Sequence, residues 1–197
     1  RRIILDAIDY YNKYASRIFE DTVDQDMEKL RERFLASLEE GDTILDLGCG
    51  SGRDSAAFYE LGYDVTPLDA AEEMAKLAEI HTGLDVLRIA YEDMEFEDVF
   101  DGIWGSGALV HVPAREMEDI LEKVTDALCQ GGTLYLSFRK GDFEGFEGGL
   151  YYNDYTPEGL ERMLEDTRRL DIREIWESGD PGGDDIQWVH VLARKIA

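Results

Sequence analysis

Short apolar runs alternate along the chain with longer stretches in which apolar residues recur every three or four positions, the pattern of strands separated by amphipathic helices. Met27, Leu30, Phe34, Leu35 and Leu38 fall at helical spacing within residues 24–39, and Gly41 closes that stretch, which predicts a core-facing helix. The first strand follows as Ile44, Leu45, Asp46 and Leu47. Further helices are predicted over 54–61, 71–80, 114–128 and 157–167, and further strands over 62–69, 85–89, 100–105, 132–138, 170–176 and 186–192. Residues 1–20 read as a tyrosine-rich segment, helical or irregular. Regular alternation of strand and helix predicts an α/β fold, a parallel sheet with helices on both faces. Only the Gly/Pro/Asp loop 177–185 joins the last two strands, which suits an antiparallel hairpin and not a crossover.

With 197 residues and 44% hydrophobic content, the chain has the length for one domain with a sizeable core. No apolar run approaches the roughly 20 residues that span a bilayer, and acids interrupt the start before a signal-peptide core forms. Cys49 and Cys129 lack the companions of a metal site and suit a reducing compartment, so a cytoplasmic protein with no metal is expected. The formal charge of -25 repels nucleic acid and removes most of the electrostatic term on which its binding depends. The densest basic pairs, Arg31/Arg33 and Arg168/Arg169, sit among acids on predicted helices and read as solvated faces.

The chemistry gathers behind the first strand, where Gly48, Gly50 and Gly52 alternate with Cys49 and Ser51. Such a turn lets a ligand approach the main chain closely. Asp46 places a negative charge where a dinucleotide fold would bring a pyrophosphate, which favours a cationic or hydroxyl-rich ligand. The third glycine of the dinucleotide fingerprint is replaced by Arg53, and no triphosphate-binding loop is present. Asp69 lies 23 residues beyond Asp46 at the end of the second strand, with Ala70 after it. An acid there accepts hydrogen bonds from ribose hydroxyls in nucleoside-binding folds, and it is also a favoured helix cap; the two roles are compatible.

The run Asp-Leu-Gly-Cys-Gly-Ser-Gly-Arg-Asp, from Asp46 to Asp54, resembles the first motif of class I S-adenosylmethionine-dependent methyltransferases. Residues 100–113, ending Val-His-Val-Pro, resemble that family's fourth strand and the turn after it. The resemblance covers about residues 10–195 and implies a Rossmann-like three-layer sandwich, with a mainly parallel seven-stranded sheet and an antiparallel C-terminal hairpin strand. It divides the chain into an N-terminal helical lid and first core helix, 1–40, and a methyltransferase core, 41–197. It implies S-adenosyl-L-methionine as cofactor, S-adenosyl-L-homocysteine as product and a small-molecule methyl acceptor as partner.

The resemblance also assigns residues. The glycine loop carries the methionine end of the cofactor, with Asp46 and the Gly48 carbonyl facing its cationic groups and Arg53, at a helix start, facing its carboxylate. The adenine contacts fall on Tyr91 and Glu92, with packing by Met74 and Leu68; Ala90 stands where many relatives carry an acid. Trp104, Gly105, Ser106 and Leu109 form the cofactor wall, and His111 faces the transferred methyl, as a base or as a structural histidine bonded to a carbonyl. Tyr10, Tyr11 and Tyr14 are candidate lid residues, Tyr14 being assigned to the active site, with ordinary helix packing as their alternative. Arg139 to Gly141 and Tyr151 to Tyr155 are expected to border the substrate mouth, whereas Trp176, Trp188, His81 and His190 read as packing residues. Methyl transfer asks mainly for in-line alignment, and positioning alone supplies on the order of 7 to 11 kcal/mol in favourable cases. The alternatives are a cofactor-binding partner subunit without turnover and a nicotinamide dehydrogenase, the latter disfavoured by Asp46 and Arg53.

Overall fold

A computed structural model describes residues 3–197. Four parallel strands form one half of the sheet: β1 (Thr43–Leu47), β2 (Asp64–Leu68), β3 (Phe100–Gly105) and β4 (Leu128–Arg139). The other half is β7 (Leu170–Gly179) and β8 (Gln187–Lys195), and the strand order is β2-β1-β3-β4-β8-β7. β8 runs antiparallel to both of its neighbours, as the short 177–185 connection requires.

Among the described residues the sheet has six strands and not seven, because residues 85–89 make only the single bridge Leu68↔Leu87. Two backbone bonds hold that bridge, Leu87 N–H to Pro67 O and Asp69 N–H to Leu87 O, both 2.9 Å. The next rung on one side needs an N–H at Pro67, which proline lacks. On the other side the Ala71 N–H is captured by the Asp69 carboxylate at 2.9 Å. The ladder therefore stops after one rung.

Alternation along the strands divides the core. Ile103, Leu134, Leu136 and Phe138 face α6 (Ala114–Ala127) and α7 (Pro157–Asp166), whereas Ile44, Trp104 and Tyr135 face α3 (Glu28–Leu35) and α4 (Arg53–Glu60). The helix expected over 24–39 is shorter: Asp26 accepts the Glu28 N–H at its start, and the chain tightens after Leu35. Its five apolar residues nevertheless all reach this second core. Cys129 lies in β4, since α6 ends at Ala127. The N-terminal segment forms α1 (Ile3–Lys13) and α2 (Ala15–Thr22), which pack on α5 (Glu72–Thr82) through Ile8, Tyr11, Ala15, Ile18, Met74 and Leu77. A separate hairpin, β5 (Glu144–Glu147) and β6 (Leu150–Asn153), occupies the region expected to border the substrate mouth. Among the described residues no helix is long and apolar enough to cross a membrane, and no cluster of metal-ligating side chains is present.

Candidate functional site

Two cavities meet at the carboxyl ends of β1 and β3, and Tyr11, Gly48, Gly50 and Gly107 line both. The smaller, of ≈ 100 Å³, is bounded by Asp69, Ala70, Ala90, Tyr91, His111 and, from α1, Ala7 and Ile8. The larger, of ≈ 650 Å³, extends across the sheet beneath α2 and α3 to Trp176, Trp188 and His190. Their shared floor is the glycine turn. Gly48 sits at φ 64°, and a Cβ there would collide with the Tyr91 hydroxyl, which itself donates to the Ala108 carbonyl at 3.0 Å. Gly52 sits against α5, with Thr82 Cγ2 only 2.7 Å from where its Cβ would stand.

Asp69 tightens this turn. Its carboxylate accepts from Gly50 N–H and Ala71 N–H, each at 2.9 Å, while burial raises its pKa to about 6. It holds the residue before α5 without capping the helix, whose N-cap position is Ala71 with no side-chain bond, so the cap foreseen for it is not formed; its carboxyl group borders the smaller cavity. Asp46 borders the larger cavity. Burial and the neighbouring Asp54 charge raise its pKa to about 7, against the 2.6 Å bond from Ser55 and the nearby Arg53 charge. Asp54 has the opposite character: despite burial, Arg53 and Arg31 hold its pKa below the ordinary carboxylate range. It accepts from Arg31 Nη1 at 2.8 Å, Arg53 Nη2 at 2.8 Å and Trp104 Nε1 at 2.9 Å.

That cluster corrects three expectations. Arg31 belongs to no solvated face, because it is turned inward onto Asp54. Arg53 lines the larger cavity but spends most of its donors on Asp54, the Thr22 carbonyl and Gln25 Oε1. The Trp104 indole, expected in the cofactor wall, is fully buried against Phe34, Phe58 and Tyr135. The residue opposite it in the β1–β3 register is Asp46, so both side chains point to the α4 face, where Asp54 captures the indole N–H. Of the other residues placed in the wall, Ser106 borders the larger cavity, whereas Gly105 and Leu109 line neither. Met74, Glu92 and Gly52 also lie outside both linings.

His111 and Tyr11 are joined. The Tyr151 carbonyl, 2.7 Å from His111 Nδ1, can only accept, so Nδ1 carries the proton and Nε2 accepts from the Tyr11 hydroxyl at 3.0 Å. Burial holds the imidazole neutral, with its pKa lowered to about 4, and pushes the Tyr11 phenol well up. His111 therefore ties α1, the turn after β3 and β6 together, the structural alternative foreseen for it. Tyr14, assigned to the active site, instead lies at the junction of α1 and α2, 37% exposed, against Tyr10 and Lys13. Tyr11 is the aromatic residue of this segment that reaches both cavities.

Several residues of the larger cavity were assigned to packing or not singled out. Tyr135 and Ser137 alternate on β4, Trp176 and Ser178 on β7, and Trp188 and His190 on β8, so all six share one sheet face. The period-2 spacing was the available signal; the strand register that brings the three pairs side by side was not.

A twisted sheet of parallel strands finished by an antiparallel pair, with a glycine turn after β1 and an acid after β2, defines a Rossmann-like methyltransferase fold. Residues 44–132 match the family model described as methyltransferase domain. Ubiquinone biosynthesis O-methyltransferase of Xanthomonas campestris pv. campestris is 35% identical over 104 residues, 49% of this chain and 43% of that protein. The chain thus spans less than half the length of that relative. An uncharacterized methyltransferase of Staphylococcus carnosus is 27% identical over 161 residues, covering 76% and 77% of the two chains. The fold is similar to the crystal structure of Burkholderia thailandensis 1,6-didemethyltoxoflavin-N1-methyltransferase with bound 1,6-didemethyltoxoflavin and S-adenosylhomocysteine: TM-score 0.79, 21% identity, 98% and 88% of the two chains. Over residues 44–132 the chain is thus similar to methyltransferase domains, and its fold is similar to that of solved methyltransferases.

Proposed function

We propose that this protein transfers the methyl group of S-adenosylmethionine to a small-molecule acceptor. The observation that carries the reading is the junction of two cavities over one glycine turn, with an acid in each: Asp69 in the smaller, Asp46 in the larger. The residues fit the cofactor. Asp69 uses one bond to each oxygen on backbone amides and retains lone pairs for ribose hydroxyls. Asp46, a buried acid whose raised pKa reports too little positive charge around it, suits a cationic ligand group. The adenosine part belongs in the smaller cavity, against Ala70, Ala90 and Tyr91, and the methionine part over Gly48 and Gly50 toward Asp46.

The sulfonium supplies an electrophilic methyl, so the chain's own residues have to orient the acceptor and exclude water. α1 closes the smaller cavity through Ala7, Ile8 and Tyr11, which supports a lid role for the N-terminal segment 1–40. The similar proteins support a small acceptor, since those named are a ubiquinone biosynthesis O-methyltransferase and, among solved folds, a 1,6-didemethyltoxoflavin-N1-methyltransferase. The -25 charge counts against a nucleic-acid acceptor. The free thiols Cys49 and Cys129 support a reducing, cytoplasmic setting.

Calorimetric titration with S-adenosylmethionine, S-adenosylhomocysteine and NADH tests the cofactor assignment. Binding of the first two and not of NADH is expected; binding of NADH alone, or of none, overturns it. In the same assay Tyr11→Phe should weaken S-adenosylhomocysteine binding by about fivefold, since one hydrogen bond between lid and turn is lost. Tyr14→Phe should leave it unchanged, and equal effects of the two would remove Tyr11 from the lid.

A further inference from the structure

The larger cavity carries a polar strip whose hydrogen bonds all run one way. Gly107 N–H donates to Ser137 Oγ at 2.8 Å. Tyr135 Oη lies 2.8 Å from His190 Nδ1, and His190 Nε2 lies 2.7 Å from Ser178 Oγ, which donates to the Gly179 carbonyl at 3.2 Å. A carbonyl can only accept, so the Gly179 end sets the direction of the chain that leads to it. Ser178 gives its hydrogen to Gly179, the Nε2 hydrogen goes to Ser178, and Tyr135 donates to Nδ1. Ser178 therefore offers the cavity a lone pair and no hydrogen. Ser137, whose Oγ accepts the Gly107 N–H, keeps a lone pair as well.

Flat apolar surface flanks this strip. Trp188 lies beside the turn after β3, its Cη2 3.5 Å from where a Cβ on Gly107 would stand, and its indole N–H is spent on Asp180 at 2.9 Å. Trp176 is stacked on His190, centroids 5.1 Å apart at 13°, with the Arg33 guanidinium over its ring. The charges of the lining give no welcome to an anion. Arg53 and Arg33 are paired with Asp54 and Glu174, and Lys29 shares the lining with Asp26, Asp46 and Asp180. A volume of ≈ 650 Å³ lies within the range of small-molecule sites, about 300–1,000 Å³.

We infer that the larger cavity takes a planar, uncharged aromatic or heteroaromatic molecule with O–H or N–H donors along one edge, the donor edge against Ser137 and Ser178 and the ring against Trp188. This deepens the proposed function and rests on it in one respect: the ligand is then the methyl acceptor, lying beyond Gly107 from the adenosine cavity. The binding chemistry itself needs only the strip and the Trp188 indole. A carboxylate or a fully alkylated ring would leave those lone pairs facing an anion or nothing, a cost borne by the ligand that lacks the donor.

The test uses three naphthalenes of one size: 2,3-dihydroxynaphthalene, 2,3-dimethoxynaphthalene and 2-naphthoate. Each is titrated by tryptophan fluorescence and calorimetry, with and without saturating S-adenosylhomocysteine. The dihydroxy compound should bind at least about tenfold tighter than the dimethoxy one, the worth of two modest hydrogen bonds, and the naphthoate weakest. Ser178→Ala should cut that preference to about threefold, the loss of one such bond, with S-adenosylhomocysteine affinity intact as proof of folding. Tyr135→Phe should narrow the preference as well, through the broken strip. Equal affinity for the dihydroxy and dimethoxy compounds, preference for the naphthoate, no binding of any of the three, or full preference in Ser178→Ala overturns the inference. Failure of S-adenosylhomocysteine to bind while the dihydroxy compound binds sinks the cofactor assignment and leaves this one standing.

Discussion

Asp46→Asn is expected to weaken S-adenosylmethionine binding by about 30-fold, the equivalent of roughly 2 kcal/mol for a lost charge-assisted contact, and to stabilise the ligand-free protein. Both effects have one cause. Asp46 is buried beside Asp54, and burial with that like charge raises its pKa to about 7. An Asp ionises near 3.9 in the unfolded chain, so between about pH 4 and 7 the folded state holds the extra proton, and stability falls as pH rises through that window. Above about pH 7 the wild type carries the full penalty of an ionised, poorly compensated carboxylate; asparagine does not. The stability gain in Asp46→Asn should therefore be on the order of 2 kcal/mol at pH 8 and vanish below about pH 4. A cationic ligand group reverses the sign, because it favours the ionised form: wild-type affinity for S-adenosylmethionine should drop as pH falls below about 7, and the variant's should not follow. Urea unfolding across this range, paired with calorimetry, reads both. A variant that binds normally, or that is destabilised at pH 8, removes Asp46 from the cofactor site.

The same residue marks how far the sequence could be read. The glycine turn, the acid near the end of β1 and the acid after β2 are local in sequence, and each lies where the pattern predicted. The six-stranded count was not legible from hydrophobicity alone. Residues 85–89 have a strand's composition, and only the partner's Pro67 and the diverted Ala71 N–H stop the ladder. Side-chain direction was harder still. Trp104 occupies the expected strand end, yet period 2 and the register with Asp46 send its indole to the α4 face. Tyr14 and Tyr11 sit three residues apart on one short segment, and which of them turns inward depends on a packing partner 100 residues away, His111. The acceptor-side strip was invisible for the same reason: its members come from three strands whose sequence separation conceals that they adjoin.

Asp54, the one acid of the motif that received no role from the sequence, should be the costliest position to change. Asp54→Ala removes the common acceptor of Arg31, Arg53 and the Trp104 indole, leaving two guanidinium groups and an N–H in a site where little water replaces it. Breaking a buried ion pair from one side costs about 3–5 kcal/mol, which for a chain of this length corresponds to a melting-temperature drop of about 10 °C. Trp104→Phe keeps both ion pairs and loses one N–H donor, so it should cost about 1 kcal/mol by comparison, most of it from the single hydrogen bond. A loss in Asp54→Ala no larger than in Trp104→Phe would mean that the guanidinium groups find other acceptors and that the cluster is not what fixes α3 and α4 to the sheet. A second readout separates support of the fold from support of the site. Asp54 is a named cause of the raised Asp46 pKa, so Asp54→Asn, which keeps the acceptor shape without the charge, should shift the pH midpoint of S-adenosylmethionine binding toward acid. A midpoint that stays near 7 in folded Asp54→Asn would assign the Asp46 shift to burial alone, and the two carboxylates would then be independent in the binding of the cofactor.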